Sequence, residues 1–271
     1  MKLYHKKFGK GPAMIIIHGL YGSSDNWISL GKKFASNFEV YLIDQRNHGR
    51  SAHSDEHNYQ LMSDDLMEFM HAENIERAIL LGHSMGGKTA MYFARNYPEM
   101  VSHLIVADIS PLSYKNNPDQ APQYKTHRTI LESLASIPIQ QLNSRKKAED
   151  ILKKAIPQER IVQFLLKNLH RDKSGAFSWK INLEALIHNI DNILDGFLQE
   201  EFEGEAKITG FPVLFLRGEN SGYIGTKDIE AIQFIFPYAE IETISGAGHW
   251  MHAEKPQEFF KRINDFILEE S

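Results

Sequence analysis

The stretch GHSMGGKT, residues 82–89, satisfies two catalytic patterns that require different chemistry. Spelled G-x-x-x-x-G-K-[ST] it is a P-loop, in which backbone N–H groups, Lys88 and Thr89 would hold the phosphates and magnesium of a nucleotide. Spelled G-x-S-x-G it is a nucleophile elbow, with Ser84 exposed on a strained turn between a strand and a helix. Both patterns want a strand before and a helix after. RAILLG (77–82) and KTAMYFARNY (88–97) supply both, so the rest of the chain must decide.

Outward from the elbow the chain alternates strands and helices. AMIIIH (13–18), FEVYLID (38–44), RAILLG and HLIVAD (103–108) are short apolar runs bounded by turn residues, the pattern of buried strands. Between the second and third, YQLMSDDLMEFMHAEN (59–74) places Leu61, Leu66, Phe69 and Met70 near helical spacing. A crossover helix makes the sheet parallel and covered on both faces. LYHKKF (3–8) alternates and is polar, so it is expected as an antiparallel edge strand. FPVLFLRG (211–218) and AEIETIS (239–245) resume the strands, with helices expected over 226–236 and 256–269.

After Pro111 the character changes. KNNPDQAPQ leads into helical periodicity without a convincing strand, with helices expected over 123–136, 145–156, 158–170 and 182–200. The acidic run QEEFEGEA (199–206) is expected as a solvated exit loop. The chain therefore reads as one α/β core, residues 1–111 and 206–271, interrupted by a helical cap at 112–205.

Composition narrows the chemistry. With 271 residues, 42% hydrophobic, 24% charged and a formal charge of -5, the chain is an ordinary globular one without a basic stripe for nucleic acid. It has no cysteine, which removes thiolate nucleophiles, disulfides and cysteine-ligated metals. No H-E-x-x-H or comparable ligand cluster is present, and no metal or organic cofactor is expected. MKLYHKKFGKGP lacks the apolar stretch of a signal peptide, and no run approaches the roughly 18 apolar residues of a membrane span. The expectation is a cytoplasmic enzyme acting on a small molecule.

The two readings of GHSMGGKT make different demands elsewhere. HLIVAD resembles a Walker B strand, yet strand ends at the carboxyl edge of any α/β sheet tend to carry such an Asp. A serine hydroxyl needs a histidine to take its proton, and that histidine needs a carboxylate to fix its tautomer. GAGHW (246–250) supplies His249 in a glycine-flanked turn before the last helix; His252 stands three residues on, beyond the glycines. Acyl transfer also needs two N–H donors for an oxyanion. Met85 follows the nucleophile, and IIIHGLYGSSDNW (15–27) puts Leu20 in a glycine-rich loop after an early strand.

In this order HGLYGSSDNW, DQRNHGRS (44–51), GHSMGG, FPVLFLRGE and GAGHW resemble an α/β-hydrolase-fold serine esterase. Through DQRNHGRS and ADISP (107–111) the chain is most similar to small bacterial acyl-esterases of the YbfF type. The resemblance covers the core and leaves the cap unmatched. It implies the α/β-hydrolase fold, a mostly parallel sheet with helices on both faces and a helical cap insertion. Lys88 and Thr89 then merely open a helix, and Asp44 and Arg46 tie a loop.

The acid departs from the family pattern. Many members carry it in a segment like RGEND; here the segment reads RGENSGYI, with Ser221 in the acid's slot. A neutral hydroxyl cannot stabilise an imidazolium as a carboxylate does. Glu219, Asp228 and Asp108 compete. The fold also accepts its acid at the strand end where Asp108 stands, so Asp108 is the expected partner of His249, with Ser221 as an auxiliary. Trp27, Trp250, Met85 and Met251 flank these residues and are expected at an apolar acyl pocket. The expected reaction is hydrolysis of short-to-medium acyl esters, or of thioesters, through an acyl-enzyme on Ser84. A P-loop nucleotide hydrolase and a non-catalytic or slow ligand receptor on the same fold are the rival readings.

Overall fold

The computed structural model describes residues 1–114, 121–204 and 206–269. In chain order the core opens with β1 (His5–Phe8), β2 (Ala13–Ile17), α1 (Ile28–Phe34), β3 (Glu39–Ile43), α2 (Tyr59–Ala72), β4 (Ala78–His83), α3 (Met85–Asn96) and β5 (Val101–Ala107). The segment that follows contains α4 (Ala121–Ala135), α5 (Arg145–Leu152), α6 (Glu159–Leu166), β6 (Leu169–Arg171), β7 (Phe177–Trp179), α7 (Leu183–His188) and α8 (Ile190–Ile193). The core closes with β8 (Val213–Gly218), α9 (Thr226–Ile235), β9 (Ala239–Ile244), α10 (Met251–Glu254) and α11 (Pro256–Glu269).

The main sheet has the order β1-β3-β2-β4-β5-β8-β9. Only β1 runs antiparallel, pairing with β3. Successive residues of a strand point to opposite faces. Along β2, Ile15 and Ile17 join one apolar cluster with α2 and α3, while Met14 and Ile16 join the other with α1 and α11. Both faces are therefore buried, which is why these strands read as continuous apolar runs and not as alternating ones.

The 112–205 stretch differs in detail from its helical expectation. Leu169–Arg171 pairs with Phe177–Trp179 as a small antiparallel hairpin, where the continuation of a helix to 170 was expected. Its turn is closed by Asp172, whose carboxylate accepts from Ser174 Oγ and Ala176 N, and by Gly175 at φ 93°. The single helix expected over 182–200 is instead two short ones, broken at Asn189. Beyond them the backbone returns beside the segment's own start: Phe197 N donates to Pro111 O, and a Cβ on Gly196 would collide with Pro111 and Leu112. A continuing helix could not make that approach. Residues 115–120 of the expected KNNPDQ loop, and Glu205 of the acidic run, lie outside the described residues.

The DQRNHGRS loop is held by its first and third residues. Asp44 accepts from Ser24 N at 2.6 Å and Arg50 N at 2.9 Å. Arg46 makes a two-pronged, buried ion pair with Asp65 of α2. This pins the loop beneath the carboxyl edge of the sheet.

Candidate active site

Two adjacent strands end in the same unusual way. Ser84 follows β4 at φ 54° and Asp108 follows β5 at φ 54°, a region non-glycine residues seldom occupy. Each is held there by the next strand's ladder: Ser84 N donates to Ala107 O at 3.0 Å, and Asp108 N donates to Leu216 O at 2.8 Å. The turn at Ser84 needs its glycines for space. A Cβ on Gly86 would lie 2.6 Å from His18 O and closer still to Ile17 O. The strained turn lifts Ser84 Oγ out of the sheet at the start of α3, as the nucleophile-elbow pattern requires.

His249 stands between these two residues. Ser84 Oγ lies 3.1 Å from His249 Nε2, and His249 Nδ1 lies 2.7 Å from Asp108 Oδ2. Asp108 is fully buried and accepts two further bonds, from Gly218 N at 3.0 Å and from Ser221 Oγ. Three donors facing its two oxygens suit the ionised carboxylate, which can only accept. Nδ1 of His249 must then carry the proton, and Nε2 is left bare to take one from Ser84. The other acids face elsewhere. Glu219 is exposed and accepts from Gly246 N, while Asp228 accepts from Gly225 N at the start of α9.

The loop after β2 packs against the elbow, with the Cβ position of Gly19 3.1 Å from Ser84 Cβ. Neutral histidines hold it. Gln45 N donates to His18 Nε2, so His18 Nδ1 carries the proton that bonds Gly19 O at 2.8 Å. Tyr21 N donates to His48 Nε2, and His48 Nδ1 bonds Arg46 O. Burial pushes both imidazoles below their ordinary pKa. Protonation would set N–H against N–H at Gln45 and Tyr21. Below the elbow His83 Nε2 donates to His249 O at 2.8 Å, and burial also holds His83 neutral.

Leu20 lines a cavity of about 270 Å³ that opens onto Ser84 and His249, and Met85 heads α3 beside it. The walls are mostly apolar, with Trp27, Trp250, Ile130 and Phe164 among them, the last two from α4 and α6. Trp27 is stacked on His252, with ring centroids 4.2 Å apart, and shows the cavity only an edge. Met85 and Met251 are not wall residues. Met85 turns its sulfur toward His57, and Met251 is buried under α11.

Lys88 and Thr89 point away from this cavity. Lys88 is buried with its ammonium on Leu112 O at 2.7 Å and on Asp195 O, the entry and exit of the 112–205 segment. Thr89 Oγ1 donates to Gln45 Oε1 at 2.8 Å. Neither side chain is available to a phosphate or magnesium, so the P-loop spelling describes packing. Burial lowers the Lys88 pKa to about 7. Among the described residues no group of three or more His, Asp or Glu is arranged to hold a metal ion.

A family model described as alpha/beta hydrolase fold matches residues 12–256. The chain belongs to the alpha/beta hydrolase fold family. Within this family it is similar to the sn-1-specific diacylglycerol lipase ABHD11 of Xenopus laevis, 36% identical over 95% of this chain and 80% of that one. It is similar to Esterase YbfF of Escherichia coli, 29% identical over 94% and 92%. A solved structure titled "Marine microorganism esterase" superposes with TM-score 0.91 at 44% identity, covering 98% of this chain and 99% of that one.

For this alpha/beta hydrolase, sequence reasoning brought together Ser84, His249, Asp108, Ser221, Leu20, Met85, Trp27 and Trp250, which the structure gathers at one sheet edge. It missed His18, His48 and His83, which hold the loop and His249, and Tyr223, which stacks on His249 with centroids 3.8 Å apart. The first three stand inside quoted motifs, HG, NHG and GHS, where a signal was present. Tyr223 stands outside them.

Proposed function

We propose that this alpha/beta hydrolase is a serine carboxylesterase that forms an acyl-enzyme on Ser84. The observation that carries the reading is the continuous Ser84–His249–Asp108 hydrogen-bonded chain opening onto an apolar cavity. His249 takes the Ser84 proton as the hydroxyl attacks the ester carbonyl, and Asp108 stabilises the imidazolium that forms. The N–H groups of Leu20 and Met85 receive the oxyanion. His249 then gives its proton to the leaving alcohol or thiol, and water repeats the sequence to release the acid. Ser221 supports the Asp108 carboxylate through its hydroxyl.

A cavity of about 270 Å³ lies at the small end of ligand pockets, which span roughly 300–1,000 Å³. That supports short-to-medium acyl chains, with Trp27 and Trp250 against the chain, over two long chains held at once. The lipase relative nonetheless makes a diacylglycerol the natural comparison substrate. The cap, residues 112–205, forms the roof that selects the chain. The test is an ester and thioester series from acetyl to palmitoyl, with a diacylglycerol, on wild type and Ser84→Ala. Hydrolysis peaking at short or medium chains and lost by about 10⁶-fold in Ser84→Ala is expected. Absence of turnover with every substrate would leave a ligand receptor as the better reading.

A further inference from the structure

The histidine that touches Ser84 is also covered on one face of its ring. Tyr223 lies nearly parallel to the His249 ring, 17° between planes and 3.8 Å between centroids, and so covers one face of it. An aromatic face is the negative end of a ring quadrupole, which favours a cation placed over it. The charge that develops on His249 during acyl transfer is such a cation. Tyr223 is therefore placed to matter when the proton moves.

Both ends of Tyr223 are fastened. Its N–H donates to Ser221 Oγ, the same hydroxyl that supports Asp108. Its carbonyl accepts from Tyr114 Oη at 3.2 Å. Its hydroxyl lies 3.0 Å from Nε2 of His127 on α4. His127 Nδ1 has no hydrogen-bond partner among the described residues, so the Tyr223 hydroxyl is what orients that ring. The same residue also meets the loop of Leu20, because Tyr21 Oη donates to His127 O at 3.4 Å. Asn168, in the turn before β6, adds a bond to Tyr21 O at 2.8 Å. One helical residue of the roof thus touches the support of the general base and the loop that offers an oxyanion donor.

Resting on the serine-esterase reading above, we infer that Tyr223 and His127 are a positioning pair: Tyr223 holds the His249 ring in line with Ser84, and His127 makes that hold depend on α4 being seated. Neither residue exchanges a proton or forms a bond in the reaction. With α4 displaced, the Tyr223 hydroxyl loses its partner and the His249 ring loses its fixed face. The open site would still admit an ester but hydrolyse it slowly. The roof then acts in the chemical step as well as in selection.

The test measures hydrolysis of p-nitrophenyl butyrate as kcat per active site, with sites titrated by a fluorophosphonate, so that misfolded enzyme is not counted. Tyr223→Phe and His127→Phe each remove the tie and keep the ring; each should lower kcat about fivefold with KM changed little. Their double variant should be no slower than either alone, because one interaction is lost in all three. Tyr223→Leu removes the ring and should lower kcat by at least about tenfold. Multiplying losses in the double variant, or an unchanged kcat in Tyr223→Leu, would overturn the inference. Wild-type enzyme that neither turns over nor is titrated would instead remove the serine reading, and the inference with it.

Discussion

The carboxyl edge of the sheet and the roof above it are built by different means. At the edge, Ser84 and Asp108 leave β4 and β5 at the same φ of 54° and are held by backbone bonds to the neighbouring strands. The roof of short helices and one three-residue hairpin shares an apolar cluster with the core and meets it through scattered bonds: Lys88 on Leu112 O and Asp195 O, Asn168 on Tyr21 O, Tyr59 on Ile193 O, and Asn182 N on Asn47 O. A sheet ladder gives way only when strands separate, whereas the bonds that seat the roof are single and far apart along the chain. Ser84 and Asp108 thus leave the sheet itself, and the separately built segment lies over them.

The largest expected effect breaks the edge without moving it. Asp108→Asn keeps the shape but leaves His249 in the wrong tautomer, and should lower kcat by about 10⁴-fold for every ester in the series. Glu219→Gln, two residues before Ser221, should leave kcat close to wild type; an equal loss there would move the acid away from β5.

Acid should dismantle the edge next. Burial pushes the pKa of His57 and His252 down to about 3 and that of His127 to about 4, and holds His48 and His83 well below their ordinary value. Each folded pKa lies below the unfolded one near 6.5, so the unfolded chain takes up protons first as pH falls. This contribution to stability is complete above about pH 6.5 and is lost progressively toward pH 3. Each such histidine contributes a slope of up to about 1.4 kcal/mol per pH unit. Urea unfolding at steps from pH 7 to pH 4 measures it, and a flat midpoint would contradict the neutral histidines.

Smaller effects sharpen the roof. Lys88→Met leaves the carbonyls of Leu112 and Asp195 without their donor, at a cost of about 1–3 kcal/mol in unfolding free energy. Its signature in the ester series should be a shift in preferred chain length larger than the loss of kcat on the best ester. Ser221→Ala removes one of the three bonds to the Asp108 carboxylate and should lower kcat by only about tenfold. A loss equal to that of Asp108→Asn would make the hydroxyl indispensable.

Much of the edge was legible because its constraints are local. A glycine-flanked serine between an apolar run and a helix can form few structures, and GAGHW likewise marks a turn before a helix. Strand positions followed from apolar runs that must be buried on both faces. The roof was less legible. Leu169–Arg171 and Phe177–Trp179 are too short to show strand periodicity, and the break at Asn189 is imposed by the return beside Leu112, a contact between residues far apart in sequence. Lys88 was legible only as the opening of a helix, not as a donor to the carbonyls of Leu112 and Asp195.

By itself the sequence determined the sheet, its one antiparallel edge strand, the interruption after β5, and the motifs that carry Ser84, His249 and the loop of Leu20. These rest on periodicity and turn chemistry, which act over a few residues. Only the tertiary structure decided which carboxylate meets His249, since Asp108, Glu219 and Asp228 are equivalent as acids and differ in where two strand ends and a helix place them. It alone decided that Lys88 holds Leu112 and Asp195, and that Tyr223 stacks on His249 while His127 meets the Tyr223 hydroxyl. Those outcomes depend on separations of about 3 Å between residues up to 141 positions apart, which no local pattern encodes.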